Sequence, residues 1–242
     1  MSAPAHGLAP TIVFGDNHLL IVDKPAGMPT QDDASGDLSL LAWAKAEIKR
    51  THGKPGEVFL GLVHRLDRPT SGLLALARTS KAASRLSAAL RERRINKRYL
   101  ARCEAMPSAP EGVVEGWLAP GVDGASSRIV AASHPRALQI ALRFRVLQAG
   151  PTPLLLVELL TGRKHQIRAQ LAELGALIAG DVRYGAMPGG SGPIAVPPFA
   201  IALHSYELEL PHPIGGGRLR WRAPAPAWLG TVPELPPEPP PA

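Results

Sequence analysis

The alternation of apolar and polar positions along the chain predicts many short strands and three helices. Apolar or alternating runs typical of strands cover residues 11–14, 18–22, 58–63, 73–77, 99–103, 112–119, 127–132, 139–147, 154–160, 200–210 and 218–222. Helical spacing of apolar residues indicates helices over 39–50 and 81–95 and a third that ends at Leu174. Because short reversals separate several strands, we expect an α+β fold in which helices and loops flank a mixed, mainly antiparallel sheet.

Length and proline content indicate one domain followed by a tail. The chain has 242 residues, 45% of them hydrophobic, which is enough to bury a substantial core. We expect a single domain over residues 11–229. Residues 230–242 are rich in proline and show no amphipathic pattern, so we expect this tail to be disordered.

The charge of the chain favours a polyanionic partner. Its formal net charge is +7 and its pI is about 10, which suits either nucleic acid or an anionic membrane. No apolar run is long enough to span a membrane and residues 1–10 lack the apolar core of a signal peptide, so we expect a cytoplasmic protein without membrane contact.

Nine of the 27 basic residues fall between Arg78 and Arg102, against the single acid Glu92. A run of charge is often only a solvated helix face. Charges of nearly one sign repel one another, however, so we favour contact with phosphates.

Several common catalytic and metal motifs are missing from the sequence. A single cysteine, Cys103, excludes an internal disulfide framework and a cysteine-rich zinc site, and we expect it to be packed. The histidines are scattered, and neither HExxH nor a glycine-rich phosphate loop occurs, so we predict no metal. A GxSxG serine-hydrolase elbow is absent as well.

Two polar segments carry the candidate chemistry. In the segment HRLDRPTSG (64–72), Asp67 lies between two arginines in a turn that leads into an apolar strand. A carboxylate held there suits a nucleophile or a general base, although a surface loop with a local ion pair is the simpler interpretation. In TGRKHQIR (161–168), cations cluster between a buried strand and a helix, which indicates a site for phosphate or for a carboxylate of the protein itself.

Taken together, three blocks resemble the RluA-type pseudouridine synthases. They are LLIVDKPAGMP (19–29), VHRLDRPTSGLLALART (63–79) and LLTGRKHQIRAQLAELGALIAGDVRYG (159–185), with weaker support from INKRYLARCEA and ALHSYELELPHP. The likeness covers nearly all of residues 11–229 and implies a bent sheet with a central active-site cleft. It also implies an enzyme that isomerises a uridine in structured RNA to pseudouridine, flipping the base and using neither cofactor nor metal.

By the same resemblance, three residues form the catalytic site. Asp67 aligns with the catalytic aspartate, Tyr99 with the tyrosine that packs on the flipped base, and Arg168 with the arginine that pairs with the catalytic carboxylate. Whether Asp67 attacks the sugar, adds to the ring or removes a ribose proton stays open. We further expect substrate contacts from Arg65, Ile167, Arg163, His165, Lys97 and Arg98.

The resemblance leaves alternatives and some features open. A non-enzymatic RNA-binding or ribosome-assembly factor on the same scaffold is one alternative, and a carboxylate-based glycosidase, which needs a second acid, is another. Many relatives carry an N-terminal S4 RNA-binding domain, for which this sequence has no room, so the catalytic domain itself would recognise the RNA. We expect that RNA to be ribosomal or a tRNA stem-loop, and the protein to be a monomer.

Overall fold

The structure is a computed structural model that describes residues 9–53, 56–191 and 194–235. Three α-helices occur in this part of the chain: α1 (Leu40–His52), α2 (Ser80–Arg91) and α3 (Gln166–Glu173). Its strands are β1 (Thr11–Gly15), β2 (Leu19–Lys24), β3 (Gly61–Leu62), β4 (Ser71–Ala77), β5 (Asn96–Arg102), β6 (Glu111–Pro120), β7 (Ser127–Ile129), β8 (Leu138–Gln148), β9 (Leu154–Leu159), β10 (Leu203–Pro211) and β11 (Arg218–Arg222).

All of these strands join one mixed sheet. Its order is β1-β2-β4-β10-β5-β9-β8-β6-β7, with β3 added to β4 and β11 to β10. Every recorded strand pair is antiparallel except β4 with β10, which is parallel. The α+β fold with a mainly antiparallel sheet, predicted from the sequence, is therefore confirmed.

Gly72 is what allows β4 and β10 to meet at the centre of the sheet. Its φ is +108°, and a Cβ placed on it would lie 2.3 Å from the backbone oxygen of Ser205. The two strands pair only at residues 71–72 with 204–205. The central junction of the sheet therefore requires a residue without a side chain.

The two faces of β2 and β4 bury different partners. Their alternate residues Leu19, Ile21, Leu73 and Ala75 cluster with buried residues of α2. On the opposite face, Leu20, Val22, Leu74 and Leu76 cluster with α1, Leu66 and Tyr99. The loop that carries Asp67 and the basic helix α2 thus lie on opposite faces of these strands.

This arrangement divides the basic segment between two faces and the core. Its helix ends at Arg91 rather than at residue 95, because Arg93 has a φ of +56° and β5 begins at Asn96. Arg102 is buried, and its guanidinium donates to the backbone oxygens of Leu229 and Thr152. Part of the segment is therefore structural, and α2 lies on the face of these strands opposite the Asp67 loop. Contact between the exposed cations of the segment and RNA stays a prediction.

Ordered packing continues beyond the predicted domain boundary. Leu229 is fully buried, and Val232 and Leu235 pack partly buried against the core. The rest of the predicted tail, residues 236–242, lies outside the described residues. In the described part of the chain, no helix has the length and apolar character needed to cross a membrane.

Candidate active site

Asp67 begins a tight turn at the entrance to β4. Its backbone oxygen accepts the N–H of Thr70 at 3.0 Å, and Pro69 fixes one φ angle inside the turn. The Thr30 hydroxyl donates to the backbone oxygen of Leu66 at 2.7 Å and holds the chain just before Asp67. The Asp67 side chain keeps 25% of its surface exposed, so the turn presents a fixed carboxylate at the open side of the site.

Lys24 holds the same loop in place through hydrogen bonds. Its buried ammonium group donates to the backbone oxygens of Pro25, Met28 and Arg68 at 2.9, 2.8 and 3.1 Å. Burial lowers the pKa of Lys24 to about 7, although the nearby carboxylate of Asp67 opposes this shift. The lysine therefore ties the DKPAGM loop (23–28) to the residue that follows Asp67.

Arg168 on α3 contacts the side chain of Asp67. Its Nη1 lies 3.3 Å from Asp67 Oδ2. The other side of the guanidinium forms a bidentate ion pair with Asp181, in which Nε donates to Oδ2 and Nη2 donates to Oδ1, both at 2.7 Å. Burial alone would lower the pKa of Arg168, but Asp181 and Asp67 outweigh it and raise this pKa. A permanently charged arginine is thus fixed beside the Asp67 carboxylate.

The two arginines nearest to Asp67 in sequence, Arg65 and Arg68, do not pair with it. Arg68 turns away and binds the backbone oxygen of Gly27, the hydroxyl of Ser35 and the carboxylate of Asp37. Arg65 is exposed and has no ion-pair partner among the described residues. The contact between Asp67 and Arg168 that the resemblance implied is therefore present, and the local pairing is not.

Tyr99 lies on β5 close to Asp67. The ring is 5% exposed, and burial raises the pKa of its phenol far above the ordinary value. The neighbouring Asp67 carboxylate raises this pKa further, so the hydroxyl stays neutral at physiological pH. A neutral aromatic side chain beside a carboxylate is suited to pack against a flat, uncharged ring.

His165 and Tyr184 complete the surroundings of the carboxylate. His165 Nε2 lies 3.7 Å from Asp67 Oδ2, and its Nδ1 lies 3.1 Å from the Tyr184 hydroxyl. Burial lowers the pKa of His165 to about 4, despite the opposing effect of Asp67, so the imidazole is neutral at pH 7. The Tyr184 ring lies 5.0 Å from the guanidinium carbon of Arg168 and supports the arginine from one side.

The remaining residues expected to contact the substrate differ in their exposure. Arg163 is exposed at the start of the α3 loop, while Ile167 is 5% exposed and belongs to the core. Lys97 is 6% exposed. The side chain of Arg98 is buried and its Nη1 donates to buried Glu207 at 3.1 Å, so this geometry does not favour a contact between Arg98 and the substrate, which stays a prediction.

Sequence reasoning missed two residues of the site. Asp181 looks like part of a polar turn, and Tyr184 follows it in the same segment. One signal in the sequence could have marked Asp181: it is an acidic residue in a block (159–185) whose other charged residues are mostly basic. A buried arginine such as Arg168 needs a carboxylate, and Asp181 supplies it.

The geometry fits chemistry that depends on one carboxylate. Within the described part of the chain, no group of three histidine, cysteine, aspartate or glutamate residues is arranged to hold a metal ion. The second carboxylate near the site, Asp181, has both oxygens bound to Arg168, so it is not placed as the free acid that a two-carboxylate glycosidase uses.

Comparison with known proteins identifies the family. Residues 18–173 match the family model described as RNA pseudouridylate synthase. The chain is 33% identical to ribosomal large subunit pseudouridine synthase D of Pseudomonas aeruginosa, over 90% of this chain and 70% of that protein. It is 35% identical to the protein of the same name from Nitrosomonas europaea, over 93% of this chain and 64% of that protein.

A solved structure supports the fold. Human RNA Pseudouridylate Synthase Domain Containing 4 superposes with a TM-score of 0.72 and 24% identity, covering 90% of this chain and 89% of that one.

The chain belongs to the RNA pseudouridylate synthase family, isomerases that convert uridine in RNA to pseudouridine, and its resemblance to the RluA-type enzymes is confirmed. It spans about two thirds of the length of the two bacterial relatives.

Proposed function

We propose that this chain isomerises a specific uridine of large-subunit ribosomal RNA to pseudouridine, with Asp67 as the catalytic residue. The names of the two bacterial relatives support the choice of RNA. The observation that carries the proposal is the partly exposed Asp67 carboxylate, held 3.3 Å from a buried arginine and next to a buried tyrosine.

The reaction needs a group that acts on the nucleoside and a surface that holds the detached base. The bond from ribose C1′ to uracil N1 breaks, the base turns, and C1′ joins C5. C5 then loses its proton and N1 takes up a proton, so the product is an isomer of the substrate. Asp67 Oδ2 faces Arg168, while Oδ1 has no hydrogen-bond or ion-pair partner among the described residues and is free to act on the substrate. Tyr99 would support the turning base, since stacking on an aromatic ring contributes about 1–3 kcal/mol per base.

The target uridine must leave its stack to reach this site, at a cost of a few kcal/mol. The exposed Arg65 lies on the loop that carries Asp67, and the exposed Arg163 lies on the loop that leads into α3 and Arg168. Both are suited to hold the RNA backbone there. A non-enzymatic RNA-binding role is not favoured, because it would give no reason for the charge arrangement around Asp67.

Tritium release tests the activity and the choice of RNA together. Transcripts of large-subunit ribosomal RNA and of tRNA, labelled with tritium at uridine C5, are incubated separately with the protein. Release from the ribosomal transcript is expected. Release from tRNA alone would redirect the proposal to a tRNA stem-loop, and retention of label in both RNAs would overturn the enzymatic role. The monomeric state and cytoplasmic location stay predictions.

A further inference from the structure

Lys97 is a nearly buried lysine without a partner. It is 6% exposed, and no carboxylate or hydrogen-bond acceptor of the described residues binds its ammonium group. Lys24, the other buried lysine near the site, shows the usual solution, because three backbone oxygens surround its ammonium group. Burying a charge without compensation is costly, so Lys97 differs from a lysine that only stabilises the fold.

A buried donor without a hydrogen-bond partner lies near Lys97. The His64 Nε2 accepts the backbone N–H of Ala75 at 3.0 Å, so the proton of the neutral ring is on Nδ1. That Nδ1 is buried and has no hydrogen-bond partner in the described part of the chain. Burial lowers the pKa of His64 to about 3, and the adjacent charge of Lys97 lowers it further, so the ring is neutral at pH 7.

The two donors lie between the loops that form the active site. His64 comes three residues before Asp67, and a Cβ placed on Gly162, in the loop that leads to Arg168, would lie 3.0 Å from Lys97 Nζ. Lys97 and Tyr99 are two residues apart on β5, so they share one face of the strand about 7 Å apart. This separation is on the scale of one nucleotide step.

We propose that Lys97 Nζ and His64 Nδ1 form a subsite for a phosphate of the RNA backbone next to the target uridine. Both groups donate and one is positively charged, so the ligand must accept hydrogen bonds and carry negative charge. The absence of a side chain at Gly162 lets the ammonium group lie close to this loop, because a Cβ there would be only 3.0 Å from Lys97 Nζ. Burial lowers the pKa of Lys97 only to about 8, which keeps most of the molecules charged at pH 7. The identity of the anion as RNA rests on the proposed function.

Binding of short RNA tests this subsite independently of catalysis. The probes are a fluorescent ten-residue oligouridylate and its analogue with neutral methylphosphonate links at the central positions. Lys97→Met should weaken binding of the charged oligonucleotide about tenfold and reduce its salt slope by about 0.7, the value for one phosphate on a single strand. With the neutral analogue, wild type and Lys97→Met should bind alike.

Two further variants separate the subsite from general effects. Gly162→Ala keeps the charge but crowds the ammonium group, so it should also weaken binding of the charged oligonucleotide. Lys49→Met makes the same chemical change at an exposed lysine of α1 and should bind like wild type. Circular dichroism confirms that each variant is folded, and Lys97→Arg replaces Lys97→Met if the latter does not fold, with a smaller loss expected.

The outcomes are distinct. Equal affinity of wild type and folded Lys97→Met for the charged oligonucleotide would overturn the proposal. A loss of affinity in Lys97→Met that persists with the neutral analogue would also overturn it. So would competition by inorganic phosphate if neutralising the RNA links did not change affinity, because that result would indicate a site for free phosphate. If oligonucleotide binding behaves as expected while tritium release fails with every RNA, the proposed activity fails and the subsite stands.

Discussion

Arg168 binds Asp181 more closely than it binds Asp67. Both contacts to Asp181 measure 2.7 Å and join side chains that are 4% and 2% exposed, whereas the contact to Asp67 measures 3.3 Å and ends at a side chain that is 25% exposed. The buried ion pair of the site is therefore the one between Arg168 and Asp181. Asp181 fixes the arginine, and the arginine in turn faces the carboxylate of Asp67.

Removing Asp181 should therefore destabilise the protein more than removing a carboxylate from an exposed ion pair. Asp181→Ala leaves the buried Arg168 charge without its main partner and should lower the free energy of unfolding by about 3–5 kcal/mol. Glu111→Ala breaks an exposed pair with Arg145 and should cost less than about 1 kcal/mol. Urea denaturation measures both. Similar small losses for the two variants would mean that Asp181 does not hold Arg168.

Substitutions of Tyr99 should affect turnover more than RNA affinity. Tyr99→Ala removes the ring on which the base would stack, a contribution of about 1–3 kcal/mol, while the cations that hold the backbone remain. Tyr99→Phe keeps the ring and should preserve most of the turnover. Single-turnover rates and RNA dissociation constants of the folded variants are compared. Equal losses of rate and affinity in Tyr99→Ala would contradict a role for Tyr99 in the pocket.

The close approach of β4 and β10 predicts that one methyl group added at Gly72 strongly lowers the stability of the fold. Gly72→Ala places a Cβ against the backbone of Ser205 at a positive φ, so unfolding should become easier by about 3 kcal/mol or more. A Cβ added at Gly116 meets no atom within 4 Å, so Gly116→Ala should change stability by less than about 1 kcal/mol. A Gly72→Ala protein as stable as wild type in urea would contradict the central junction described above.

Three histidines that are buried or partly buried should make the fold sensitive to acid. Burial lowers the pKa of His64 to about 3 and those of His165 and His204 to about 4, below the 6.5 of an unfolded chain. The unfolded state therefore takes up more protons between pH 6.5 and 4, and stability is lost as the pH falls through this window.

Asp23 opposes this loss, because burial raises its pKa to about 6 and its folded form takes up a proton in the same window. The net expectation is a loss of roughly 2–4 kcal/mol between pH 7 and pH 5. Urea midpoints at the two pH values measure it. Equal stability at pH 7 and pH 5 would show that the histidines are not held neutral.

Most strands could be predicted because they follow apolar periodicity, but burial does not always mean pairing. The apolar run 58–63 reads as one strand, yet only Gly61–Leu62 pair with β4, while Val58 and Leu60 are buried without joining a strand. A local pattern records that a residue is apolar. It does not record which neighbours cover it.

The site was predictable only where a family motif marked it. The motifs named Asp67 and Arg168, whose contact spans 101 residues of sequence. The role of Asp181 depends on how the segment after α3 folds back on the helix, which no spacing along the chain reveals. For the same reason Arg98, part of a basic run in sequence, proved to be a buried partner of Glu207.

The most direct test of the central claim is the rate of tritium release under single-turnover conditions. Excess protein is mixed with large-subunit ribosomal RNA labelled at uridine C5, and wild type is compared with Asp67→Asn, which keeps the shape of the side chain but removes its charge. Wild type should release label from one uridine per RNA, and Asp67→Asn should release none within the same time while still binding the RNA. Release by Asp67→Asn at the wild-type rate would contradict the assignment of catalysis to Asp67.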